Sequence, residues 1–251
     1  MARATADIQL IIPDWPAPPS VGAASTTRIG GVGQGPFSNL NLADHVGDNP
    51  DSVQQNRRRL VARLGLSENP RWLKQVHGIE IVPAEQVHRP VSADGSITTQ
   101  VGVVCAVLTA DCLPVLFCDR DGTHIAAVHG GWRGLAAGVL EAAVDAFRTR
   151  GIQPANLLAW LGPAIGPAAY EVGTEVFEAL GQDQDRQALS DNAGSRWQLD
   201  LYALARARLR SLEVDRIYGG GDCTMVDAKR FFSYRRDGVC GRQATLIWRR
   251  G

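Results

Sequence analysis

Cys112 and His129 are the residues of this chain whose types and spacing most directly suggest chemistry. Two apolar runs lie between them, joined at Asp121-Gly122, a dipeptide typical of two-residue hairpin turns. Pairing the runs backwards from that turn sets Val128–His129 opposite Leu113–Val115. Because paired strands lie about 4.8 Å apart, Cys112 and His129 are predicted to emerge at the same end of one hairpin, close enough to share a ligand.

His77 is the natural third member of such a site, because it follows a short apolar run at a strand-to-turn junction. Two imidazoles and one thiolate form a borderline-soft ligand set that suits Zn²⁺, with copper as the alternative. Three protein ligands leave a fourth position open, which is typical of a catalytic zinc site. Such a site lowers the pKa of a bound water to about 7 or acts as a Lewis acid.

The same pair supports a second chemistry without metal. Cys112 could act as a thiolate nucleophile and His129 as its base, as in cysteine hydrolases. Spacing alone does not separate the two hypotheses. A third histidine would favour metal, whereas a dyad needs an orienting Asn or Asp. A pocket that binds a partner without turnover also stays open.

Mixed strands and helices must position these residues. Some connections are hairpins and a strict βαβ alternation is missing, which favours an α+β layered domain. Two short strands with a turn near His77 are predicted within residues 71–85. The pattern further predicts buried strands at Val101–Thr109 and Pro114–Cys118, a returning strand at His124–Val128, and helices at 50–65, Trp132–Arg150, Thr174–Leu180 and Leu199–Leu212. Asp51 or Ser52 is predicted to cap the first helix.

Composition excludes several classes of protein. The 26 basic and 26 acidic residues cancel, which argues against nucleic-acid and membrane-surface binding. The N-terminal residues lack the features of a signal peptide, and no apolar run is long enough to cross a bilayer, so a cytoplasmic location is predicted. The five cysteines include no C-x-x-C pair and fit no disulfide framework. Cys105, Cys118, His88 and His124 are interpreted as structural residues.

Seven segments together carry a specific resemblance to a known family. The chain resembles the laccase-domain family, also called the YfiH-type or polyphenol oxidase family, which is described as purine nucleoside phosphorylases with adenosine deaminase activity. The segments are TTRIGGVGQGPFSNLNLADHVGDNP (26–50), LKQVHG (73–78), TADCLPVLF (109–117), AAVHGGWRG (126–134), LGPAIGPAAYEVG (161–173), FFSYRRDG (231–238) and GRQATLIW (241–248).

The resemblance implies a site, a fold and an activity. The metal ligands and catalytic residues would be His77, Cys112 and His129, the trio that the hairpin argument selects. The fold would be a single domain over residues 1–251, a four-layer α/β/β/α sandwich with mixed sheets, similar to the catalytic domain of cytotoxic necrotizing factor. The activity would be zinc-dependent phosphorolysis of adenosine, inosine, guanosine or methylthioadenosine, with adenosine deaminase activity, in a monomer or homodimer.

Two alternatives to this activity remain. Cytotoxic necrotizing factor works as a cysteine hydrolase, which keeps a Cys-His hydrolase open, and the link of some bacterial family members to peptidoglycan precursor editing gives it a substrate class. Copper-dependent polyphenol oxidation is the other, although a multicopper oxidase needs many more histidines than the five in this chain.

Phosphorolysis requires groups that hold an anion and a ribose. Arg28, Lys74, Gln75 and Arg133 are the candidate substrate contacts, since Arg133 falls in the first turn of a predicted helix, where an anion is favoured. The glycines after His129 are expected to let backbone and substrate approach closely. Deamination needs a carboxylate for proton transfer, and Asp111 is the candidate if the strand breaks there.

Overall fold

The structure is a computed structural model that describes residues 7–181, 183–191 and 196–251. The strands are β1 Leu10–Ile11, β2 Val21–Thr26, β3 Ile81–Pro83, β4 Gly95–Thr98, β5 Val104–Thr109, β6 Leu113–Asp119, β7 Ile125–Gly130, β8 Leu157–Leu161, β9 Glu171–Val172, β10 Leu189–Asp191, β11 Trp197–Leu199, β12 Arg216–Gly219 and β13 Gln243–Arg249. The helices are α1 Pro50–Leu64, α2 Trp132–Ala137, α3 Val139–Arg148, α4 Thr174–Ala179, α5 Asp183–Arg186, α6 Leu201–Ser211 and α7 Tyr234–Asp237.

Within the described ranges, the strands form three sheets. One has the antiparallel order β1-β2-β13-β5, and a small one has the order β10-β11-β9. The largest has the order β12-β8-β6-β7-β4-β3, with parallel pairs at both ends and antiparallel pairs between them. The α+β class expected from the sequence is confirmed. The small sheet was not expected.

The two larger sheets share a core. Cys105 and Val107 of β5 pack in one apolar cluster with Leu116 and Cys118 of β6, whereas Val104 of β5 belongs to a cluster on the opposite face. This alternation is the period of two that a strand buried on both faces must show. The two larger sheets therefore pack face to face, with alternate side chains of their strands in the layer between them.

Helices cover the outer faces of these sheets. Leu60 of α1 packs in the cluster that contains Val104 and Leu246 of the four-stranded sheet. On the other side, Phe147 of α3 and Leu204 of α6 share a cluster with residues of β6 and β7. No helix of the described residues is long and apolar enough to cross a membrane.

The β6–β7 hairpin has the predicted register. Pro114 pairs with His129, and Val115 pairs with Val128. A turn of fixed length sets this register, because each residue added to one arm must be matched on the other. The chain enters β6 directly from β5, so Cys112 lies in the short turn where the backbone passes from one large sheet to the other.

The first two predicted helices differ from the prediction in their cap or in their continuity. Asn49 caps α1, because its side chain accepts hydrogen bonds from the N–H groups of Asp51 and Ser52. The predicted helix Trp132–Arg150 is divided into α2 and α3. Gly138 separates them with a left-handed φ of 102°, which closes the first helix before the second begins.

Of the two short strands predicted around His77, the structure contains the second and not the first. Only β3 forms on the C-terminal side. Before the turn, Arg71 and Lys74 make only isolated bridges to Cys105 and Ser92, so this segment forms no strand of its own.

Candidate metal centre

Three segments bring His77, Cys112 and His129 together. One ligand atom from each lies within 4.8 Å of the others. The Cys112 Sγ is 3.8 Å from the His77 Nε2, and the two imidazoles meet edge to face with centroids 4.8 Å apart. His129 is buried in β7, whereas His77 is exposed in the loop before β3. The convergence predicted from the hairpin is therefore present.

Asp94, which the sequence analysis did not select, orients His129. This fully buried carboxylate lies 2.8 Å from the His129 Nδ1, and the Asp94 carbonyl accepts a hydrogen bond from the His129 N–H. Because Nδ1 is engaged, Nε2 is the nitrogen left for a metal or a thiol. Carboxylates behind metal-binding histidines fix the ring and its tautomer in this way.

The same carboxylate shapes the loop of His77. It accepts hydrogen bonds from the N–H groups of Val76, His77 and Gly78 at 2.7 to 3.1 Å. His77 has a left-handed φ of 60°, a conformation that a non-glycine residue adopts at a cost. Burial raises the pKa of Asp94, but the hydrogen bonds from His129 and the backbone outweigh it, so its pKa lies below the ordinary value.

Asp111 holds the turn that carries Cys112. The strand does break here, with a φ of 95° at Asp111. However, one carboxylate oxygen accepts from the Thr224 hydroxyl at 2.6 Å and the other from the Arg235 N–H at 2.7 Å. Both oxygens are thus used to fix the turn, and a role for Asp111 in proton transfer stays a prediction.

Gly131 provides the space in which the ligands meet. A Cβ atom at this position would lie 2.6 Å from the His77 Cδ2 and 3.3 Å from the Cys112 Sγ. Its φ of −69° is ordinary, so glycine is required here by the close approach of side chains and not by the backbone. The glycines after His129 are expected from the sequence to let backbone and substrate approach closely. At Gly131, the groups that approach the backbone are the side chains of His77 and Cys112.

Electrostatics favour an ionised thiol at Cys112. Burial raises its pKa, but the charges and hydrogen bonds of His129 and His77 outweigh this effect and lower the pKa to about 6. Burial lowers the pKa of His129, yet the Cys112 thiolate and Asp94 raise it to about 9. By contrast, burial raises the pKa of Cys105 and of Cys118 to about 12, as expected for structural thiols.

These residues fit a zinc ion. The thiolate form of Cys112 is the metal-binding form, and His129 presents one free nitrogen because its other nitrogen faces Asp94. Three N and S donors within 4.8 Å of one another, on a cavity, resemble the ligand sets of catalytic zinc sites. The identity of the ion is not fixed by the geometry, since copper accepts the same donors.

The trio opens onto a cavity of about 380 Å³. His45, Tyr234 and Arg242 also line it, and sequence reasoning missed all three. Only their positions inside the matched segments 26–50, 231–238 and 241–248 could have indicated them. Thr109 is a further lining residue, and its buried hydroxyl has no hydrogen-bond partner in the described part of the chain.

The four predicted substrate contacts lie in different settings. Gln75 lines the cavity, but both ends of its amide bind the backbone of Leu108 at 2.8 Å. Arg28 donates to the Ser38 carbonyl and lies over a phenylalanine ring. Lys74 and Arg133 are exposed and outside the residues that line the cavity. A substrate-binding role for these four stays a prediction.

Replacing Gly131 by alanine should impair the metal centre without unfolding the protein. The added methyl group must displace the His77 ring, so we expect zinc affinity to fall at least tenfold in a chelator competition assay. Gly221→Ala is the matched control, because a Cβ there meets nothing within 4 Å. Equal zinc affinity in Gly131→Ala and wild type would contradict this geometry.

Replacing Asp94 by asparagine should weaken metal binding by about 10- to 100-fold, the usual effect of losing a carboxylate behind a metal-binding histidine. Asp119→Asn is the control. Asp119 is also buried and hydrogen-bonded, to Thr123 and His124 at the far end of the same hairpin. If both variants lost affinity equally in the chelator titration, general destabilisation would explain the effect instead.

Relatives of known sequence match this chain over nearly its whole length. Purine nucleoside phosphorylase YfiH of Escherichia coli (strain K12) is 51% identical over 242 residues, which cover 96% of this chain and 98% of the relative. Purine nucleoside phosphorylase PA4543 of Pseudomonas aeruginosa is 52% identical over 241 residues, which cover 95% of this chain and 97% of the relative.

A solved structure and a family model agree with these relatives. The crystal structure of Neisseria meningitidis protein NMB0706 superimposes with a TM-score of 0.91 at 45% identity, covering 96% of this chain and 99% of that one. The model of the family described as multi-copper polyphenol oxidoreductase laccase matches residues 22–250. Sequence, fold and the three converging ligands lead to one conclusion: this chain belongs to the YfiH-type laccase-domain family.

Proposed function

We propose that this chain is a purine nucleoside phosphorylase. The observation that carries the proposal is the convergence of His77, Cys112 and His129 on a cavity, in a chain whose relatives at about half identity are named purine nucleoside phosphorylases. Its substrates would be a purine nucleoside and inorganic phosphate. Adenosine, inosine, guanosine and methylthioadenosine are the nucleosides we propose.

In the reaction, an oxygen of phosphate forms a bond to the anomeric carbon of the ribose while the bond from that carbon to the purine nitrogen breaks. The electron pair of the broken bond goes to the purine, which takes up the proton that the hydrogen phosphate releases to solvent. Asp94 keeps the His129 ring in one orientation, and the cavity gives the reacting groups a place beside that ring. The products are the free base and ribose 1-phosphate.

Zinc is the cofactor we propose, with copper as the alternative. Bound by the Cys112 Sγ and by ring nitrogens of His77 and His129, it would supply a Lewis acid with one open position. Adenosine deamination belongs to the same proposal. It is supported by the His/Cys ligand set, which zinc deaminases share.

The finer description of the fold is also a proposal. We infer a single domain over residues 1–251 with a four-layer α/β/β/α order, similar to the catalytic domain of cytotoxic necrotizing factor. The separate apolar clusters between the sheets and under the helices on either side support it. A monomer or homodimer, and a cytoplasmic location, stay predictions of the sequence.

A Cys-His hydrolase acting on peptidoglycan precursors is the second candidate, and one observation favours it. The spatial arrangement matches a hydrolytic triad. The Asp94 carboxylate contacts one nitrogen of the His129 ring, and the Cys112 thiol lies beside that ring. Copper-dependent polyphenol oxidation has less support, because the described residues contain one such three-ligand group.

Incubation of the purified protein with inosine and phosphate should yield hypoxanthine and ribose 1-phosphate, resolved by liquid chromatography. Cys112→Ala should reduce this rate at least 100-fold, because the thiolate ligand is lost. Cys223→Ala is the control, since Cys223 is a partly exposed thiol that lines a separate hollow. Undiminished product formation by Cys112→Ala would refute a mechanism based on this site.

Metal removal separates the two candidates. We expect elemental analysis of untreated protein to find about one zinc per chain, and chelation to abolish phosphorolysis until zinc is restored. Thiol alkylation should then proceed faster at Cys112 in the stripped protein, because its ionised thiol is no longer coordinated. A metal-free protein that stayed fully active and was inactivated only by alkylation would favour the hydrolase.

A further inference from the structure

A second hollow adjoins the cavity of the metal centre. It has a volume of about 330 Å³ and is lined by residues 45–46, Tyr234, residues 238–240 and Arg242. His45, Tyr234 and Arg242 line both spaces, whereas His77, Cys112 and His129 line the first one only. These three shared residues therefore lie where the two spaces meet.

Arg242 is held rigidly at this boundary. Its backbone N–H donates to the Asn41 Oδ1 at 2.9 Å, and its carbonyl accepts from the Leu42 N–H. Its Nη1 donates to the carbonyls of Cys240 and Gly241 at 2.8 and 3.0 Å. Among the described residues, none accepts a hydrogen bond from its Nε or Nη2. The Nη1 of the guanidinium thus anchors the side chain, whereas the N–H groups of Nε and Nη2 remain as donors for a ligand.

The acidic side chains near this boundary are already engaged. Asp44 lies 3.3 Å from the Arg57 Nη2 and 3.5 Å from the His45 Nδ1, and Asp237 pairs with Arg236 at 2.7 Å. No Asp or Glu of the described ranges lines either space. Among the described residues, no carboxylate is paired with the Arg242 guanidinium, which lines the same cavity as the three candidate ligands.

We propose that Arg242 and His45 form the site that receives inorganic phosphate. A guanidinium binds phosphate oxygens through a planar pair of donors, and the exposed His45 ring, whose Nδ1 faces Asp44, adds its Nε2 from the neighbouring loop. The second hollow gives the phosphate room to enter without crossing the metal ligands. This inference rests on the proposed phosphorolysis, in which phosphate must be oriented toward the anomeric carbon.

Calorimetric titration with inorganic phosphate, together with steady-state phosphorolysis of inosine, tests the assignment on the zinc-loaded protein. Arg242→Gln should weaken phosphate binding and raise the KM for phosphate by at least tenfold, with the KM for inosine changed less than threefold. Arg242→Lys should lose less, because it keeps the charge but not the planar pair of donors. His45→Gln should raise the KM for phosphate about threefold. Arg210→Gln, an exposed arginine of α6, should behave as wild type.

The outcomes separate this site from the proposed function. Wild-type protein that binds phosphate through Arg242 but produces no ribose 1-phosphate would refute the phosphorylase activity. The assignment of the phosphate site would not be affected. Active protein whose affinity and KM for phosphate are unchanged in Arg242→Gln would overturn the anion site alone. Absence of phosphate binding by wild type would also overturn it. Should Arg242→Gln fail to fold, unchanged phosphate parameters in both Arg242→Lys and His45→Gln would overturn the assignment.

Discussion

The buried carboxylate of Asp94 is the interaction on which the site depends. It joins two segments that are distant in sequence, since it accepts hydrogen bonds from the backbone around His77 and lies against the ring of His129. A carboxylate buried in this way is tolerated because its lone pairs are satisfied. The same contacts support the left-handed backbone at His77. One acid therefore fixes the positions of two of the three ligands.

The charge of Cys112 follows from the same arrangement. Burial alone raises the pKa of the thiols of Cys105 and Cys118, which lie in the core between the sheets. At Cys112 two imidazoles reverse the direction, so the thiolate is favoured although partial burial opposes it. A site that stabilises a buried anion with neighbouring nitrogen donors is suited to a cation, which would replace the proton of the imidazole as the compensating charge.

At the level of the sequence, a third histidine and an orienting acid are evidence for different chemistries, yet the structure contains both. The reason is that Asp94 serves either chemistry through the same hydrogen bond to His129. A carboxylate behind an imidazole orients a zinc ligand as well as a general base. The position of His77 beside Cys112 is what favours metal, because a thiol–imidazole pair has no need of a second ring.

The sequence by itself determined what local rules control. A short turn with an apolar run on each side fixes a hairpin register, and this was enough to bring Cys112 and His129 to one end. Only the tertiary structure decided that Asp94 lies behind His129, because the pairing of β4 with β7 places it there. It also brought Arg242 beside the loop of His45, through a hydrogen bond to a residue 201 positions away. Contacts of such length leave no local periodicity, since they depend on how the sheets pack and not on the pattern of either segment.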